Sequence, residues 1–323
     1  MRRRPSRRPC DTEFVKLSRR AWVVIVALLL CGGAAWLALY QRGRLGAASA
    51  AGMLQRLPAQ DAIVLFLDFD ALRRGGALKL LSPSKTAEEP EYQAFVRDTG
   101  FDYRRDLDLA AASFGRDGEF FVIKGRFDWT KLTRYVIAQG GTCAKGLCRM
   151  PGSTPERRIS FFLLQSNLMA LAVSTDSFAA ARLEDPRSQA VQPLDRPRDP
   201  VWLSIPTESL KTASQLPQGT RLFATALESA DNIMLSLGPQ EQQFEARLAV
   251  TCRSSADAIA LAGQLQHATS LLRDTIAREN QKPNPTDLSG VLTAGVFEQA
   301  GRRVVGRWPL PPVFLESLAG GTL

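Results

Sequence analysis

Two aspartates, Asp68 and Asp70, are the residues whose types and spacing could do chemistry in this sequence. They follow an apolar segment, 62–67, that predicts a β-strand. Carboxylates two positions apart on a strand face the same way, so this pair could share one Mg²⁺ ion. Such a pair with Mg²⁺ could support the hydrolysis of a phosphoester.

The pair resembles the Asp-x-Asp start of haloacid-dehalogenase-type phosphatases and the metal-binding Asp-x-Asp of glycosyltransferases. The sequence departs from the phosphatase pattern immediately afterwards, because Ala71-Leu72 replaces the expected Gly-Thr and no Gly-Asp-x-x-x-Asp cluster follows. A structural role explains the pair more simply, since an acidic residue at a helix start accepts hydrogen bonds from free N–H groups. We favour this capping role for Asp68 and Asp70.

Other candidates for catalysis are weak. His267 is the only histidine, so a Ser-His-Asp or Cys-His system would need it. It falls opposite the apolar stripe of a helix predicted for 255–279, which places it in solvent. The segment Gly115-Arg116-Asp117-Gly118 predicts a hairpin turn, and no Gly-Lys-Ser/Thr phosphate loop is present. The sequence therefore predicts no catalytic, metal-binding or cofactor-binding residue, and no cofactor.

The cysteines point to a structural role. Cys143 and Cys148 flank a short turn-like segment, and we predict a disulfide between them in an oxidising compartment. Free thiols remain an alternative. A metal site is weaker because no histidine is near, and the spacing is not the C-x-x-C of a thiol oxidoreductase. Cys252 is expected to be a small buried apolar residue.

An apolar segment near the N-terminus predicts how the chain is placed relative to a membrane. Residues 21–40 carry no charge and predict a transmembrane helix of about 30 Å. Residues 1–20 hold eight basic and two acidic side chains, which predicts a cytosolic tail and an exported C-terminus. We therefore expect a single-pass protein of the bacterial inner membrane, with residues 21–40 in contact with lipid and the bulk in the periplasm.

Two alternative interpretations of this segment keep the bulk of the chain outside the cytosol. Ala48-Ser49-Ala50 fits a signal-peptidase site, although a 20-residue apolar run exceeds the usual signal-peptide core. Residues 18–22 resemble a twin-arginine export signal. The net charge of +9 is concentrated before residue 45, which leaves the remainder of the chain near neutral. A nearly neutral body lacks the charge needed to bind nucleic acid, so that class of partner is excluded.

The rest of the chain predicts an α+β fold in which one pattern occurs twice. A juxtamembrane linker at 41–56 leads into a first unit at 57–183, a second linker spans 184–198, and a second unit covers 199–320. Each unit shows the order strand, strand, helix, hairpin, helix. We therefore predict a tandem duplication, with an antiparallel sheet and covering helices in each unit.

Short motifs in these units resemble a loose class of uncharacterised bacterial single-pass envelope proteins. They are Leu57-Pro58-x-x-Asp61-Ala62, Phe127-Asp128-Trp129-x-x-Leu132 and the segment from Val201 onward. The resemblance implies an N-terminal anchor and a duplicated extracytoplasmic α+β region of unknown function. It transfers no catalytic residue.

These observations favour a non-enzymatic membrane-anchored envelope protein that acts as a scaffold, a binding module or an accessory subunit of a membrane complex. One alternative is a membrane-tethered Mg²⁺-dependent phosphoester hydrolase that uses Asp68 and Asp70. Another is an exported protein that binds lipid or peptide. We expect a protein partner in the envelope, and the sequence identifies no small-molecule substrate.

Overall fold

The computed structural model divides the chain into two units, Met1–Ala47 and Ala48–Leu323. The structure describes residues 48–78, 90–185, 197–207, 227, 230–240 and 243–320, all of which belong to the second unit. The predicted tail at 1–20 and the predicted transmembrane helix at 21–40 lie outside the described residues, as does most of the predicted linker at 184–198. No helix within the described ranges is both long enough and apolar enough to cross a membrane.

Strands make up the larger part of the regular structure in the described residues. The strands are β1 Ile63–Asp68, β2 Leu107–Gly115, β3 Gly118–Gly125, β4 Thr142–Ala144, β5 Leu147–Pro151, β6 Arg158–Gln165, β7 Leu168–Ser174, β8 Val201–Ile205, β9 Asn232–Gln240, β10 Gln243–Thr251, β11 Val296–Ala300 and β12 Arg303–Leu310. The helices are α1 Ala50–Leu54, α2 Phe69–Arg74, α3 Pro90–Thr99, α4 Tyr103–Asp106, α5 Trp129–Ala138, α6 Ser255–Arg278, α7 Leu288–Thr293 and α8 Pro312–Gly320, with a 3₁₀ helix at Ala179–Leu183.

All twelve of these strands form one antiparallel sheet. Its order is β11-β12-β10-β9-β8-β1-β2-β3-β7-β6-β5-β4. The predicted fold class is therefore wrong, because it placed two tandem α+β units with separate sheets at 57–183 and 199–320. The transmembrane helix that it also included lies outside the described residues. The strands assigned to the two units belong to the same sheet.

The pairing of β1 with β8 joins the two parts of the sheet. Val64 lies opposite Ser204, Leu67 lies opposite Val201, and the N–H of Asp68 donates to the carbonyl of Pro200 over 2.7 Å. Two separate sheets would leave β1 and β8 as edge strands with unpaired backbone groups. Pairing them satisfies both edges, which is the physical reason for a single sheet.

The strands on the two sides of this central pair follow the same order. Outward from the centre, one half runs β1, β2, β3, β7, β6 and the other runs β8, β9, β10, β12, β11. The first half carries an additional hairpin, β4–β5, at its outer end. Although their connections match, the halves are parts of one continuous sheet.

The second half of the sheet is covered on one face by α6. This helix begins at the N-cap Ser254, whose hydroxyl accepts a hydrogen bond from the N–H of Asp257. Its apolar stripe packs on this half of the sheet, most closely on β11 and β12. The fully buried core there includes Ile233, Leu248, Val250, Leu261, Leu265 and Val304. His267 is exposed on the opposite face of α6, as the helical pattern predicted.

The first half of the sheet is covered on both faces. Ser160 and Phe161 are consecutive in β6 and therefore face opposite sides. The Ser160 hydroxyl accepts a hydrogen bond from Ala180 in the 3₁₀ helix. Phe161 packs with Val136 of α5 on the other side. The α1 helix, in the segment expected to be a linker, buries Met53 and Leu54.

Candidate binding site at the β2–β3 turn

Asp68 caps the helix that follows β1. Its Oδ1 atom accepts a hydrogen bond of 2.8 Å from the N–H of Ala71, and it occupies the N-cap position of α2. This N–H is one of the first four in the helix, which have no partner within the helix itself. The Asp68 carboxylate is thus used in the way that helix capping requires.

Asp70 lies in the first turn of α2 and pairs with the basic end of the same helix. Its carboxylate contacts the guanidinium groups of Arg73, at 3.4 Å, and Arg74. Within the described residues no three metal-ligating side chains of His, Cys, Asp or Glu come together. Neither Asp68 nor Asp70 lines any of the cavities described below. The two carboxylates are therefore adjacent, but each is occupied by a protein partner.

Arg73 extends from α2 to the C-terminal end of α4. Its Nε atom donates to the carbonyl of Arg104 over 2.9 Å, and its Nη2 atom donates to the carbonyl of Leu107 over 2.6 Å. These bonds satisfy carbonyl groups at the point where α4 passes into β2. The charged residues of α2 thus fix the position of a helix, and this geometry is structural.

A polar network around Asp102 and Asp106 holds α3 and α4 together. The Tyr92 hydroxyl donates to Asp102 over 3.0 Å, and the Asp102 N–H donates to Asp106 over 3.0 Å. A hydrogen bond from Arg105, partly opposed by burial, lowers the pKa of Asp106. Burial tends to raise the pKa of Asp102, but hydrogen bonds from the Arg104 N–H and from Tyr92 outweigh it and lower that pKa. Both carboxylates are therefore held in the charged form.

Tyr92 is a hydrogen-bond donor in this network, because its hydroxyl donates to Asp102. Burial and the hydrogen bond to Asp102 together raise its pKa to about 12. A hydroxyl with that pKa stays protonated at neutral pH and acts as a donor. Because each member of the network has a partner of opposite polarity, the network stabilises the fold and leaves no group poised for proton transfer.

The predicted disulfide between Cys143 and Cys148 is confirmed. The two residues lie directly opposite each other in the β4–β5 hairpin, and their sulfur atoms are bonded. Cys148 is buried with Phe161, Met169 and Val136, so the bond attaches the hairpin to the aromatic core under α5. Cys252 is free and buried, and burial raises the pKa of its thiol. A thiol of that kind is a poor nucleophile.

Two adjoining clefts flank the turn between β2 and β3. The larger, of about 660 Å³, lies between this turn and the segment 58–62. The smaller, of about 430 Å³, lies between the turn and the segments 156–157 and 173–176. The turn residues Gly115, Arg116 and Asp117 line both clefts, so the clefts form one surface with the turn as its ridge.

The turn is fixed in place by its neighbours. Gly118 has a φ of +132°, and a Cβ atom at this position would overlap the backbone of Val173. The Ser174 hydroxyl donates to the carbonyl of Asp117 over 2.8 Å, and the Ser113 hydroxyl donates to the carbonyl of Pro58. The ridge between the clefts is therefore held from both sides before any ligand binds, which lowers the entropy lost on binding.

The charges of the clefts are only partly compensated. Arg157 pairs with Glu119, and Arg182 pairs with Asp176 over 3.2 Å. Other charged side chains that line the clefts make no ion pair with the described residues; they are Asp61, Asp117, Glu156 and Arg116. Three carboxylates against one guanidinium give the surface an acidic excess. The arrangement suits the binding of a positively charged surface.

The chain was compared with family models, curated proteins and solved structures. No family model matches the sequence, and no curated protein matches it. The chain is similar in structure to TP0453. Crystal forms I, III and IV of that protein match with TM-scores of 0.46, 0.45 and 0.43, at 10%, 11% and 11% sequence identity. The matches cover 83–85% of this chain and 97–98% of TP0453.

Sequence reasoning interpreted Arg116 and Asp117 only as hairpin-turn residues and did not find the clefts. The turn itself is where the sequence places it. The clefts, however, arise because the segments 58–62, 156–157 and 173–176, which are distant in sequence from the turn, meet it at one end of the sheet. Asp61, which makes no ion pair with the described residues, has a φ of 53°, an unusual backbone conformation for a residue other than glycine.

Proposed function

We propose that this protein is a non-enzymatic binding module of an extracytoplasmic compartment, and that it holds a basic protein partner in the two clefts at the β2–β3 turn. The observation that supports this most directly is the acidic excess of a pre-formed, open surface, where Asp61, Asp117 and Glu156 lack partners among the described residues. Complementary charge speeds association and selects partners of the opposite sign.

The surroundings of the other candidate catalytic side chains support a binding role over a catalytic one. Asp68 is a helix cap and Asp70 is paired with two arginines. The exposed side chain of His267 makes no hydrogen bond or ion pair with the described residues. A disulfide at Cys143–Cys148 favours an oxidising location, because such bonds are rare in the reducing cytosol.

The proposal is tested by neutralising the three carboxylates in the full-length chain. The variant D61N/D117N/E156Q and the wild type are each purified with their partners from the native membrane fraction, and recovered proteins are quantified by mass spectrometry. We expect a protein with a basic surface to co-purify with the wild type and to be lost from the variant. Raising the salt concentration should have the same effect, because exposed charge pairs are screened.

A matched control neutralises three other exposed carboxylates, in the variant D274N/E279Q/E316Q. These side chains are also unpaired among the described residues but lie outside the clefts. The control should retain the partner. Equal recovery from both triple variants would show that the clefts do not carry the interaction.

A further inference from the structure

A third groove lies at the outer end of the first half of the sheet, beside the disulfide hairpin. It has a volume of about 380 Å³. Its walls come from β4, β5, the start of β6 and the segment before the 3₁₀ helix, through Gly141, Thr142, Arg149, Pro151, Arg158 and Ser177. Among the described residues no aspartate or glutamate lines this groove, whereas Arg149 and Arg158 do. In charge it is therefore the opposite of the clefts at the β2–β3 turn.

The two arginines face the same side of the sheet and lie close together. Arg149 of β5 is directly opposite Ser160 of β6, and Arg158 stands two positions before Ser160 on that strand. Residues in this diagonal relationship have Cβ atoms about 7 Å apart or less, within reach of long side chains. Two guanidinium groups can thus converge on one anion.

Neither arginine forms an ion pair with a carboxylate of the described residues. Arg149 donates one long hydrogen bond, of 3.4 Å, to the hydroxyl of Thr142. Arg158 is exposed, and its side chain makes no ion pair or hydrogen bond with the described residues. By contrast, Arg157, the next residue along the chain, pairs with Glu119. The groove therefore keeps two positive charges available.

Phe178 adds an apolar surface to this charge. The Cζ atom of Arg149 lies 4.6 Å from the centroid of the Phe178 ring, and the ring is 52% exposed. A guanidinium that rests on an aromatic face keeps the N–H groups in its own plane free for a planar or tetrahedral oxyanion. The exposed part of the ring can contact an apolar group attached to that anion.

We propose that this groove binds a phosphate-type anion carried on an apolar group. Arg149 and Arg158 contact the oxyanion, Thr142 supplies a hydroxyl donor, and Phe178 contacts the apolar part. The Cys143–Cys148 bond stands next to Thr142 and Arg149 in the hairpin, so it holds both residues in position. This site is separate from the protein-binding clefts and does not depend on them.

The test is a calorimetric titration of the full-length chain, in a non-ionic detergent, with phenyl phosphate as the probe. We expect the affinity to fall at least about tenfold in R149Q/R158Q, because a hydrogen bond to a charged group contributes about 1.5–3 kcal/mol and 1.4 kcal/mol is tenfold. A charge-matched control, R97Q/R278Q, removes two exposed arginines elsewhere and should bind as the wild type does. R158Q alone changes an exposed side chain and serves as the variant least able to disturb folding.

Three ligands distinguish the source of the anion. Inorganic phosphate tests the charge alone, phenyl phosphate adds an apolar group, and dihexanoyl phosphatidylglycerol presents the same chemistry as a lipid headgroup. F178A should weaken the two organic ligands and leave inorganic phosphate unchanged. The proposal is overturned if none of the three binds the wild type, if R149Q/R158Q binds as its control does, or if F178A has no effect on the organic ligands.

Discussion

The ring of Phe66 on β1 stacks on the indole of Trp202 on β8. Their centroids are 5.5 Å apart, the planes are inclined by 19°, and the two residues are direct partners in the strand register. Trp202 is only 4% exposed. Because β1 and β8 join the two halves of the sheet, this aromatic pair lies at the position where the halves are coupled.

Replacement of Trp202 by alanine should therefore destabilise the whole described sheet and not one half of it. Truncating a buried tryptophan costs about 3–5 kcal/mol. We expect chemical denaturation to show a loss of this size, and hydrogen exchange to accelerate together in β3 and β10. The control I259A, at a side chain that is 62% exposed, should change the stability by less than about 1 kcal/mol. Two separate unfolding transitions in the wild type would contradict the coupling.

The capping role of Asp68 predicts a difference between two substitutions. Asparagine can accept the same hydrogen bond from the Ala71 N–H, so D68N should keep the stability within a few tenths of a kcal/mol. Alanine cannot, and D68A should lose about 1 kcal/mol. Both are measured by urea denaturation of the full chain.

Substitutions at Asp68 and Asp70 together separate capping from catalysis. D70N should lower the stability by at most about 0.5 kcal/mol, since its ion pairs are largely exposed. Assay of the wild type with p-nitrophenyl phosphate and Mg²⁺ should show no turnover that depends on Asp68. A hydrolase activity present in the wild type and absent from D68N would restore the metal-dependent alternative.

Several elements could be predicted from sequence because their signals are local. The capping residue Asp128 and the spacing of Trp129, Leu132 and Val136 predict the helix that the structure shows at Trp129–Ala138. The hairpin of β6 and β7 follows from alternation of apolar residues around a polar turn. Such features depend on neighbours within a few positions, so one sequence contains them.

Other features could not be predicted because they depend on distant parts of the chain or on competing local signals. The β1–β8 pairing joins residues more than 130 positions apart, and nothing in either strand identifies the other. The apolar residues around Val291 are compatible with a strand. Val291 instead lies in α7, because the Asp287 carboxylate accepts a hydrogen bond from the Ser289 N–H and caps a helix there. The clefts required four separate segments to meet.

Two glycines should respond to alanine in opposite directions. A Cβ atom at Gly238 would overlap the carboxylate of Asp199, which accepts hydrogen bonds from Arg247 and Ser236. G238A should therefore lower the stability by about 1–3 kcal/mol. Gly263 lies on the exposed face of α6 with open space around it, and G263A should raise the stability by about 0.4–1 kcal/mol. A thermal or urea denaturation series checks both, and a gain for G238A would contradict the overlap.

Tyr92 predicts a pH dependence at high pH. Its pKa in the folded state, about 12, lies above the ordinary value of 10.0. The folded state therefore binds the proton more tightly, so the contribution of Tyr92 to stability is complete below pH 10 and is lost as the pH rises through 12. The difference between the absorbance titrations of wild type and Y92F at 295 nm should show a single late step.

Substitution of its partner provides the control for this titration. D102N removes the negative charge next to the Tyr92 hydroxyl but leaves the ring equally buried. The late step should therefore move to lower pH without reaching the ordinary value, since burial is the larger cause. An unchanged step in D102N would mean that the hydrogen bond to Asp102 does not contribute to the raised pKa.

The disulfide predicts both a stability change and a pattern of thiol reactivity. Closing the short loop between Cys143 and Cys148 should contribute about 2 kcal/mol by restricting the unfolded chain, so C143S/C148S should lose about that amount. Reductant should lower the stability of the wild type to that of this variant and leave the stability of the variant unchanged.

In protein taken from its native compartment, alkylation followed by peptide mapping should label Cys143 and Cys148 only after reduction, and should label the buried Cys252 only after denaturation. Labelling of Cys143 without reductant would show that the native environment keeps these thiols reduced, and it would remove the main support for an oxidising location.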